Sequence, residues 1–435
     1  MRTRTIAPAA RGLRGDVAVP GDKSIAHRGL LLGAVAEGTT VLRGFPGGAD
    51  NQATMAACRA LGVRIETAGG EVAVHGAGWE GLRAPAAVID CANSGTTMRL
   101  LAGVLAGRPF TSRLDGDASL RRRPMRRVIE PLARMGASIA SAGGEGRPPL
   151  LVTGRPLHGV AHVLPIASAQ VKSALLLAGL QATGTTSVEE PGPSRDHTER
   201  LLGAFGGGVR RSGLRATVIG PRTLRAATVD LPGDFSSAAF LIVAALIVPG
   251  SEVRIRGVGL NPTRTGLLDV LAAMGAELEI EAEGGDAGAE PRGTVVARSA
   301  ALAGTRVGGE LLLRAIDEFP ILCVAAACAR GRTELADAAE LRVKESDRIA
   351  AMAALLRALG GRVEERPDGL VIEGGYGLGG GRVDAAGDHR VAMAAAVAAV
   401  ASRDGVTIAG ADAADVSFPG FYARLAELAG RVEPA

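Results

Sequence analysis

Two cations stand where helices should begin. Lys23 in PGDKSIAHRGLLLGA, from position 20, and Arg390 in GDHRVAMAAAVAAV, from position 387, each follow a Gly-Asp turn and open a run of small apolar residues. A helix start already carries the partial positive charge of its unsatisfied N–H groups, so a side-chain cation there is unfavourable unless an anion offsets it. Three further openings have the same form. DCANSGTTMRLLAGV from 90 offers Asn93, Ser94 and Gly95, PIASAQVKSALLLAG from 165 offers Ser168, Ala169 and Gln170, and IDEFPILCVAAACA from 316 offers Asp317 and Glu318. A sixth, PGDFSSAAFLIVAA from 232 with Asp234, Ser236 and Ser237, reads as a capped crossover. Ser, Asn, Asp and Gly are also ordinary caps, so the cations are what capping leaves unexplained. Glycine at Gly21 and Gly95 suits close approach of the backbone to a ligand. The chemistry this set suits is recognition of an anion, with carboxylates at hand to move protons.

Two more segments concentrate charge. LRRRPMRRVIEPL sets Arg121, Arg122 and Arg123 before Pro124, and LRVKESDRIA sets Arg342, Lys344, Glu345, Asp347 and Arg348 ahead of a helix. A charge run is usually a solvated face. Arg123, however, precedes a proline that restricts its backbone, which suits a fixed guanidinium making two-point contact with phosphate or carboxylate. Lys344 and Arg348 are spaced i, i+4 and would share a face if helical, with Glu345 beside them. Only Lys23, Lys172 and Lys344 are lysines among 49 Lys and Arg residues. Where arginine is used almost everywhere else, a retained lysine points to a need for a compact charge or a removable proton.

The elements that position these residues repeat along the chain. A helical segment ending in glycine and followed by a strand begins at Thr54, Arg127, Thr198, Leu267 and Ala351, and a sixth copy, FYARLAELAGRV from Phe421, lacks its following strand. Each glycine suits a left-handed C-cap. The amino-terminal stretch from Thr3 to Val19 is expected to supply the missing strand. Between these segments lie the six apolar helices, each with a glycine-led, β-rich exit such as GTTVLRGF, GTTSVEEP or GSEVRIRG. The repeat is therefore helix, strand, helix, strand. Three copies can wrap one core with apolar helices inside and sheets outside. Several helix starts are then expected to face one cleft.

A chain of 435 residues exceeds one ordinary core, so two domains are expected. With 47% hydrophobic and 22% charged residues it reads as globular α/β. Its longest apolar stretches, Ala238 to Val248 and Val391 to Ala401, fall well short of the ~20 residues that span a bilayer and read as buried helices. The opening residues have no apolar segment of signal type, so a cytoplasmic protein is expected. Cys58, Cys91, Cys323 and Cys328 form no CxxC pair and read as core residues, and no metal or other cofactor is expected. A net charge of +4 is a weak bias toward anionic ligands.

PGDKSIAHR, NSGTTMR, RRRPM, SAQ, RDHTER, IDEFP, RVKESDR and GDHR, in that order along nearly the whole chain, resemble the motifs of the 5-enolpyruvylshikimate-3-phosphate synthases. The resemblance implies an α/β fold of two domains, each of three βαβαββ repeats, with residues 1–20 plus 234–435 in one and 21–233 in the other. It implies transfer of the enolpyruvyl group of phosphoenolpyruvate to shikimate 3-phosphate, in the route to chorismate and the aromatic amino acids. Lys23, Ser24, Arg28, Ser168, Ala169, Gln170, Arg195, Asp317 and Lys344 would hold shikimate 3-phosphate. Lys23, Asn93, Gly95, Arg123, Gln170, Arg348 and Arg390 would hold phosphoenolpyruvate, and Asp317, Glu345 and Lys23 would exchange protons.

Departures from the family pattern are Glu340 where many members have Asn, Val416 where many have Lys, and Ala169 where some have Ser. Two phosphorylated acids need cations from both domains, so a cleft that closes on binding is expected. The nearest rival within the fold is the UDP-N-acetylglucosamine enolpyruvyl transferase, which usually has a reactive cysteine before its Arg-Pro pair; Ala118 to Arg123 contains none. A non-catalytic repeat protein binding an anionic metabolite would not need Asp317 and Glu345 beside Lys23. With 3% aromatic residues the chain has little to stack nucleic-acid bases. The expected partners are thus the two small molecules, acted on by a monomer, with no nucleic acid and no membrane.

Overall fold

A computed structural model describes residues 2–284 and 289–430. By packing, residues Gly21–Leu231 form one compact unit, which also takes in Glu290; residues up to Pro20 and the bulk of those from Pro232 onward form another. We call them the inserted and the flanking unit.

The inserted unit contains α1 (Lys23–Val35), α2 (Ala49–Ala60), α3 (Gly95–Leu105), α4 (Arg126–Arg134), α5 (Ala169–Gly179) and α6 (His197–Ala204). Helices α1, α3 and α5 are buried along nearly their whole length, which is why their sequences are apolar on every side. Small residues let them approach closely: a Cβ on Gly103 of α3 would lie 2.2 Å from the Ala174 carbonyl oxygen of α5. Helix α4 instead buries only Val128, Pro131 and Leu132 and keeps its arginines outward. Each repeat closes into a sheet of one order. Ile89–Asp90 runs parallel to Thr111–Asp115, which pairs antiparallel with Leu150–Thr153, and that strand pairs with Ser138–Ser141. Ala161–Val163, Gly184–Glu189, Arg215–Gly220 and Arg210–Ser212 repeat this order. In the first repeat the leading strand comes from the far end of the unit: Leu224–Arg225 and Thr228–Asp230 pair parallel with Ala36–Arg43. Nothing in the sequence pattern pointed to that exchange, because the strands are too short to show a period.

The flanking unit contains α7 (Phe235–Ile247), α8 (Gly266–Ala273), α9 (Gly309–Arg314), α10 (Phe319–Cys328), α11 (Arg348–Ala358), α12 (His389–Ala401) and α13 (Phe421–Leu428). The two longest apolar stretches are the buried helices α7 and α12, as expected. The amino-terminal segment supplies two strands here. Thr3–Ile6 pairs antiparallel with Val406–Ala409, completing the sixth repeat, and Arg14–Ala18 runs parallel to Glu252–Gly259, leading the fourth. Phe421 of α13 packs edge-on against Phe240, Phe418 and Tyr422. Arg431 and Val432, the last residues of the sixth copy, lie outside the described residues.

The glycine closing each outer helix adopts positive φ, at Gly62, Gly136, Gly206, Gly275, Gly360 and Gly430. This is the left-handed cap expected from the repeat, and a Cβ at those positions would be strained. One local expectation fails. Helix α11 starts at Arg348 with Asp347 as its N-cap, so Lys344 precedes the helix and does not share a helical face with Arg348. The capping carboxylate, accepting from Ala350 N at 3.0 Å, sets the start one turn later than the i, i+4 spacing implied.

Candidate active site

In the inserted unit, α1, α3 and α5 start with the side chains of Asp22, Ser94 and Ser168 accepting from the N–H groups of Ile25, Thr97 and Val171. These caps leave the remaining first-turn N–H groups available and fix the residues beside them. Lys23, the first residue of α1, places Nζ 3.0 Å from Asp50 Oδ2, and its carbonyl accepts from Asn51 Nδ2 at 3.0 Å. Arg28, one turn on, is buried and donates to the Ser24 carbonyl, to Ser173 Oγ and to Thr198 Oγ1, each at 2.8 Å. Burial, and then the neighbouring Arg195, pull its pKa down to about 10, which leaves it charged at neutral pH. Arg195 Nη1 in turn lies 3.4 Å from Ser24 Oγ.

Gln170 is held at both ends of its amide, accepting from Arg99 Nη1 at 2.6 Å and donating to Thr96 Oγ1 at 2.8 Å. Arg123 donates to Asn93 Oδ1, and Asn93 donates onward to Asp117 at 2.7 Å. A Cβ built on Gly95 would stand 2.9 Å from Arg99 Nη1 and 3.2 Å from Arg123 Nη1. The unit therefore brings Lys23, Ser24, Arg28, Asn93, Gly95, Arg123, Ser168, Ala169, Gln170 and Arg195 into one linked group, all but Asn93, Ser168 and Arg195 through α1, α3 and α5 or the turn before α4. Of the arginine run only Arg123 joins it. Arg121 is exposed and forms a two-point pair with Asp115.

Behind Lys23, the fully buried His27 shares a hydrogen bond of 2.6 Å with Thr54 Oγ1, which is 2.6 Å from Thr97 Oγ1. Burial drives its pKa from 6.5 to about 3, so the folded ring is neutral. The unfolded chain takes up a proton below pH 6.5 that the folded chain refuses. Its contribution to stability is thus complete above pH 6.5 and is lost as pH falls from there toward 3, by an amount on the order of a few kcal/mol. Denaturant unfolding at pH 7.5 and 4.5 should show a smaller loss at low pH for His27→Gln than for the parent; equal losses would exclude His27 as a source.

The flanking unit builds a second group around Arg348, whose side chain is only 2% exposed. Nε donates to Asp388 Oδ2 at 2.8 Å, Nη2 to Glu345 Oε2 at 2.7 Å and Nη1 to Asp317 Oδ1 at 3.4 Å. Burial works against its charge, but Asp388, Glu345 and Asp317 outweigh it and hold the guanidinium more firmly protonated. Asp388 also caps α12, accepting from Arg390 N at 2.9 Å, and takes a hydrogen bond from Ser346 at 3.1 Å. Burial raises its pKa, yet the Arg348 guanidinium prevails and holds it below the usual carboxylate range. Arg390 donates to the Asp317 carbonyl at 2.9 Å and lies 3.4 Å from its Oδ2. Asp317, Glu345, Arg348 and Arg390 are therefore adjacent, carried by the turn before α10, the turn before α11, and the starts of α11 and α12.

The start of α7 is more than a capped crossover. Asp234 caps the helix, but it and Ser236 both accept from buried Arg264 at 2.9 Å, Ser236 donates to Glu318, and Arg264 Nη1 lies 3.8 Å from Asp317. Arg264, in the loop NPTRTG, carried no sequence signal. Arg99 did: it is the one charge in an otherwise apolar helix. Lys344 pairs with Glu340 at 3.1 Å rather than with the carboxylates around Arg348, so the residue at a departure from the family pattern neutralises a proposed substrate contact. Val416 ends a short 3-10 turn, Ala411–Val416. Among the described residues, Asp196, His197 and Glu290 bring metal-type ligand atoms within 4.8 Å of one another. Asp196, however, accepts from Arg200 and Arg211 at 3.0 and 2.7 Å, and His197 shares a hydrogen bond of 2.6 Å with Glu290, so these ligand atoms already have partners within the protein.

The family profile described as EPSP synthase (3-phosphoshikimate 1-carboxyvinyltransferase) matches residues 8–425. The 3-phosphoshikimate 1-carboxyvinyltransferase of Geobacter sulfurreducens is 52% identical over 422 residues, covering 97% of this chain and 98% of its own. That of Halorhodospira halophila is 54% identical over 429 residues, covering 98% and 96%. Among solved structures, an EPSP synthase from Acinetobacter baumannii superposes with a TM-score of 0.87 at 45% identity over 99% of both chains. The enolpyruvyl transferase NikO from Streptomyces tendae, at 19% identity and a TM-score of 0.78 over 98% of this chain and 97% of its own, shares the fold. A profile matched along almost the whole chain, relatives at half identity and a shared repeat architecture agree: the chain belongs to the EPSP synthase family.

Proposed function

We propose that this chain transfers the enolpyruvyl group of phosphoenolpyruvate to the 5-hydroxyl of shikimate 3-phosphate, releasing phosphate. The observation that carries this reading is the meeting of Asp317 and Glu345 with Arg348 and Arg390, at 3.4 Å or closer for Asp317 with both guanidiniums and at 2.7 Å for Glu345 with Arg348. A site that only held anions would gain nothing from carboxylates beside its cations. A site that must also add and remove protons needs them.

The 5-hydroxyl oxygen bonds to C2 of phosphoenolpyruvate as its proton leaves and C3 gains one. C3 then gives up a proton, the bond from C2 to the phosphate oxygen breaks, and the enol ether remains. Asp317, Glu345 and Lys23 exchange these protons. Arg123, Arg348 and Arg390, with Lys23, Asn93, Gly95 and Gln170, bind phosphoenolpyruvate, and their fixed charges favour the negative charge gathering on the departing phosphate. Lys23, Ser24, Arg28, Ser168, Ala169, Gln170, Arg195, Asp317 and Lys344 bind shikimate 3-phosphate. Among the described residues no helix is long and apolar enough to cross a membrane; in this reading the protein acts in the cytoplasm as a monomer on small molecules.

The test is phosphate release by purified protein. It should require both substrates together, and release with UDP-N-acetylglucosamine in place of shikimate 3-phosphate would overturn the acceptor. Gly95→Ala should raise KM for phosphoenolpyruvate by about tenfold, a displacement on the scale of one charge-assisted hydrogen bond, because the new methyl presses on the guanidinium ends of Arg99 and Arg123. KM for shikimate 3-phosphate should move less, by about threefold, because Gly95 reaches that substrate only through Arg99 and Gln170. Equal shifts in both constants would show that Gly95 serves the fold alone.

A further inference from the structure

Lys172 is one of the chain's three lysines and the one that the proposed chemistry does not use. It lies on α5, one turn past Ser168, and is buried with Nζ 2.7 Å from Glu190 Oε2 and 2.8 Å from Glu199 Oε1. Burial opposes its charge, but Glu199 and Glu190 outweigh that and keep it protonated. A lysine ammonium is a compact charge with three donors, and here it serves two carboxylates at once.

Glu190 follows the strand Gly184–Glu189 and reaches two separate parts of the substrate-binding group. Its Oε1 accepts from the backbone N of Ser168 at 2.7 Å, and its Oε2 accepts from Ser194 Oγ at 2.7 Å. Ser168 begins α5, and Ser194 immediately precedes Arg195. One buried carboxylate thus ties the start of α5 to the segment that carries Arg195, and Lys172 fixes that carboxylate. Glu199, on α6, extends the tie: the next residue back, Thr198, accepts from Arg28 at 2.8 Å.

We propose that Lys172, Glu190 and Glu199 are a positioning network that sets the spacing of Ser168, Arg195 and Arg28, and thereby the affinity for the phosphorylated sugar-like acid, while leaving phosphoenolpyruvate binding alone. This rests on the assignment of those three residues to shikimate 3-phosphate. The network itself touches no reacting atom. Gln170, the residue on α5 that meets both substrates in this reading, is held instead by Arg99 and Thr96, so its position does not depend on the network.

The experiment is calorimetric titration with shikimate 3-phosphate, alongside kinetics with each substrate varied, for the parent, Ser194→Ala, Ser194→Thr, Glu190→Gln and Arg195→Ala. Ser194→Ala removes one hydrogen bond to a charged group and should weaken shikimate 3-phosphate about tenfold in Kd and KM. KM for phosphoenolpyruvate and kcat at saturation should stay within threefold of the parent, and Ser194→Thr, which keeps the hydroxyl, should restore binding. Glu190→Gln should weaken the same substrate further, since whichever way the amide lies its NH2 meets a donor, Ser168 N–H or Lys172 Nζ. If Glu190→Gln does not fold, the Ser194 pair decides. Unchanged affinity in Ser194→Ala, with Arg195→Ala weakened, overturns the network alone. Unchanged affinity in Arg195→Ala, or none in the parent, overturns the substrate assignment and the network with it.

Discussion

Lys23→Met should lower kcat/KM by about 10³-fold while the thermal midpoint moves by only a few degrees. The size follows from two losses at one position, a charge held at developing negative charge and a proton donor or acceptor, each typically a factor of about 10² and together less than their product because one ammonium serves both. The fold should tolerate the change. Lys23 is the first residue of α1, its side chain is 15% exposed, and its ion pair with Asp50 at 3.0 Å lies at the edge of the core. Pairs of that kind contribute about 1 kcal/mol or less. Lys23→Arg is the sharper variant. It keeps the charge but offers a planar fork that does not release its proton, so it should recover binding of the substrates and little of the rate. A kcat for Lys23→Met within tenfold of the parent would remove Lys23 from the chemistry.

The second large effect is expected at Asp317. Asp317→Asn should reduce kcat by roughly 10² to 10⁴ with shikimate 3-phosphate still bound, the range for loss of a general acid or base. The amide keeps the side chain's shape, and the backbone carbonyl that accepts from Arg390 at 2.9 Å is unchanged. Arg348 retains Asp388 and Glu345 as partners. Binding geometry should therefore survive while proton exchange does not, and calorimetry alongside single-turnover rates separates the two. A normal rate would hand the role to Glu345. A lost rate together with lost shikimate 3-phosphate binding would make Asp317 a ligand rather than an acid or base.

The flanking-unit group also bears on how the anion enters. Arg348 and Arg390 are engaged by Asp317, with Glu345 on Arg348 as well. In the proposed reading, an arriving phosphate or carboxylate would compete with those side chains for the same guanidinium hydrogens. Asp388, which both caps α12 and takes Arg348 Nε, holds the cation in place through such an exchange. A buried arginine without such a partner would cost several kcal/mol.

What the sequence determined by itself was local or periodic. Helical spacing of leucine and alanine, a glycine at each outer helix end and a polar residue at each inner helix start are properties of a few adjacent residues, and they specified the repeat, the buried helices and the polar groups at the helix starts. Resemblance in motif order then suggested the roles proposed for Lys23, Arg123, Asp317, Glu345, Arg348 and Arg390. Only the tertiary structure decided which distant segments meet. The leading strand of the first repeat comes from Leu224–Asp230, Arg264 joins Asp234 and Ser236, and Lys172 lies between Glu190 and Glu199. It also moved the start of α11 to Arg348 and gave Lys344 to Glu340. The distant pairings among these have no period and no neighbour in sequence. Buried charges take whichever opposite charge the packed helices leave within reach, and that is set by the whole core at once.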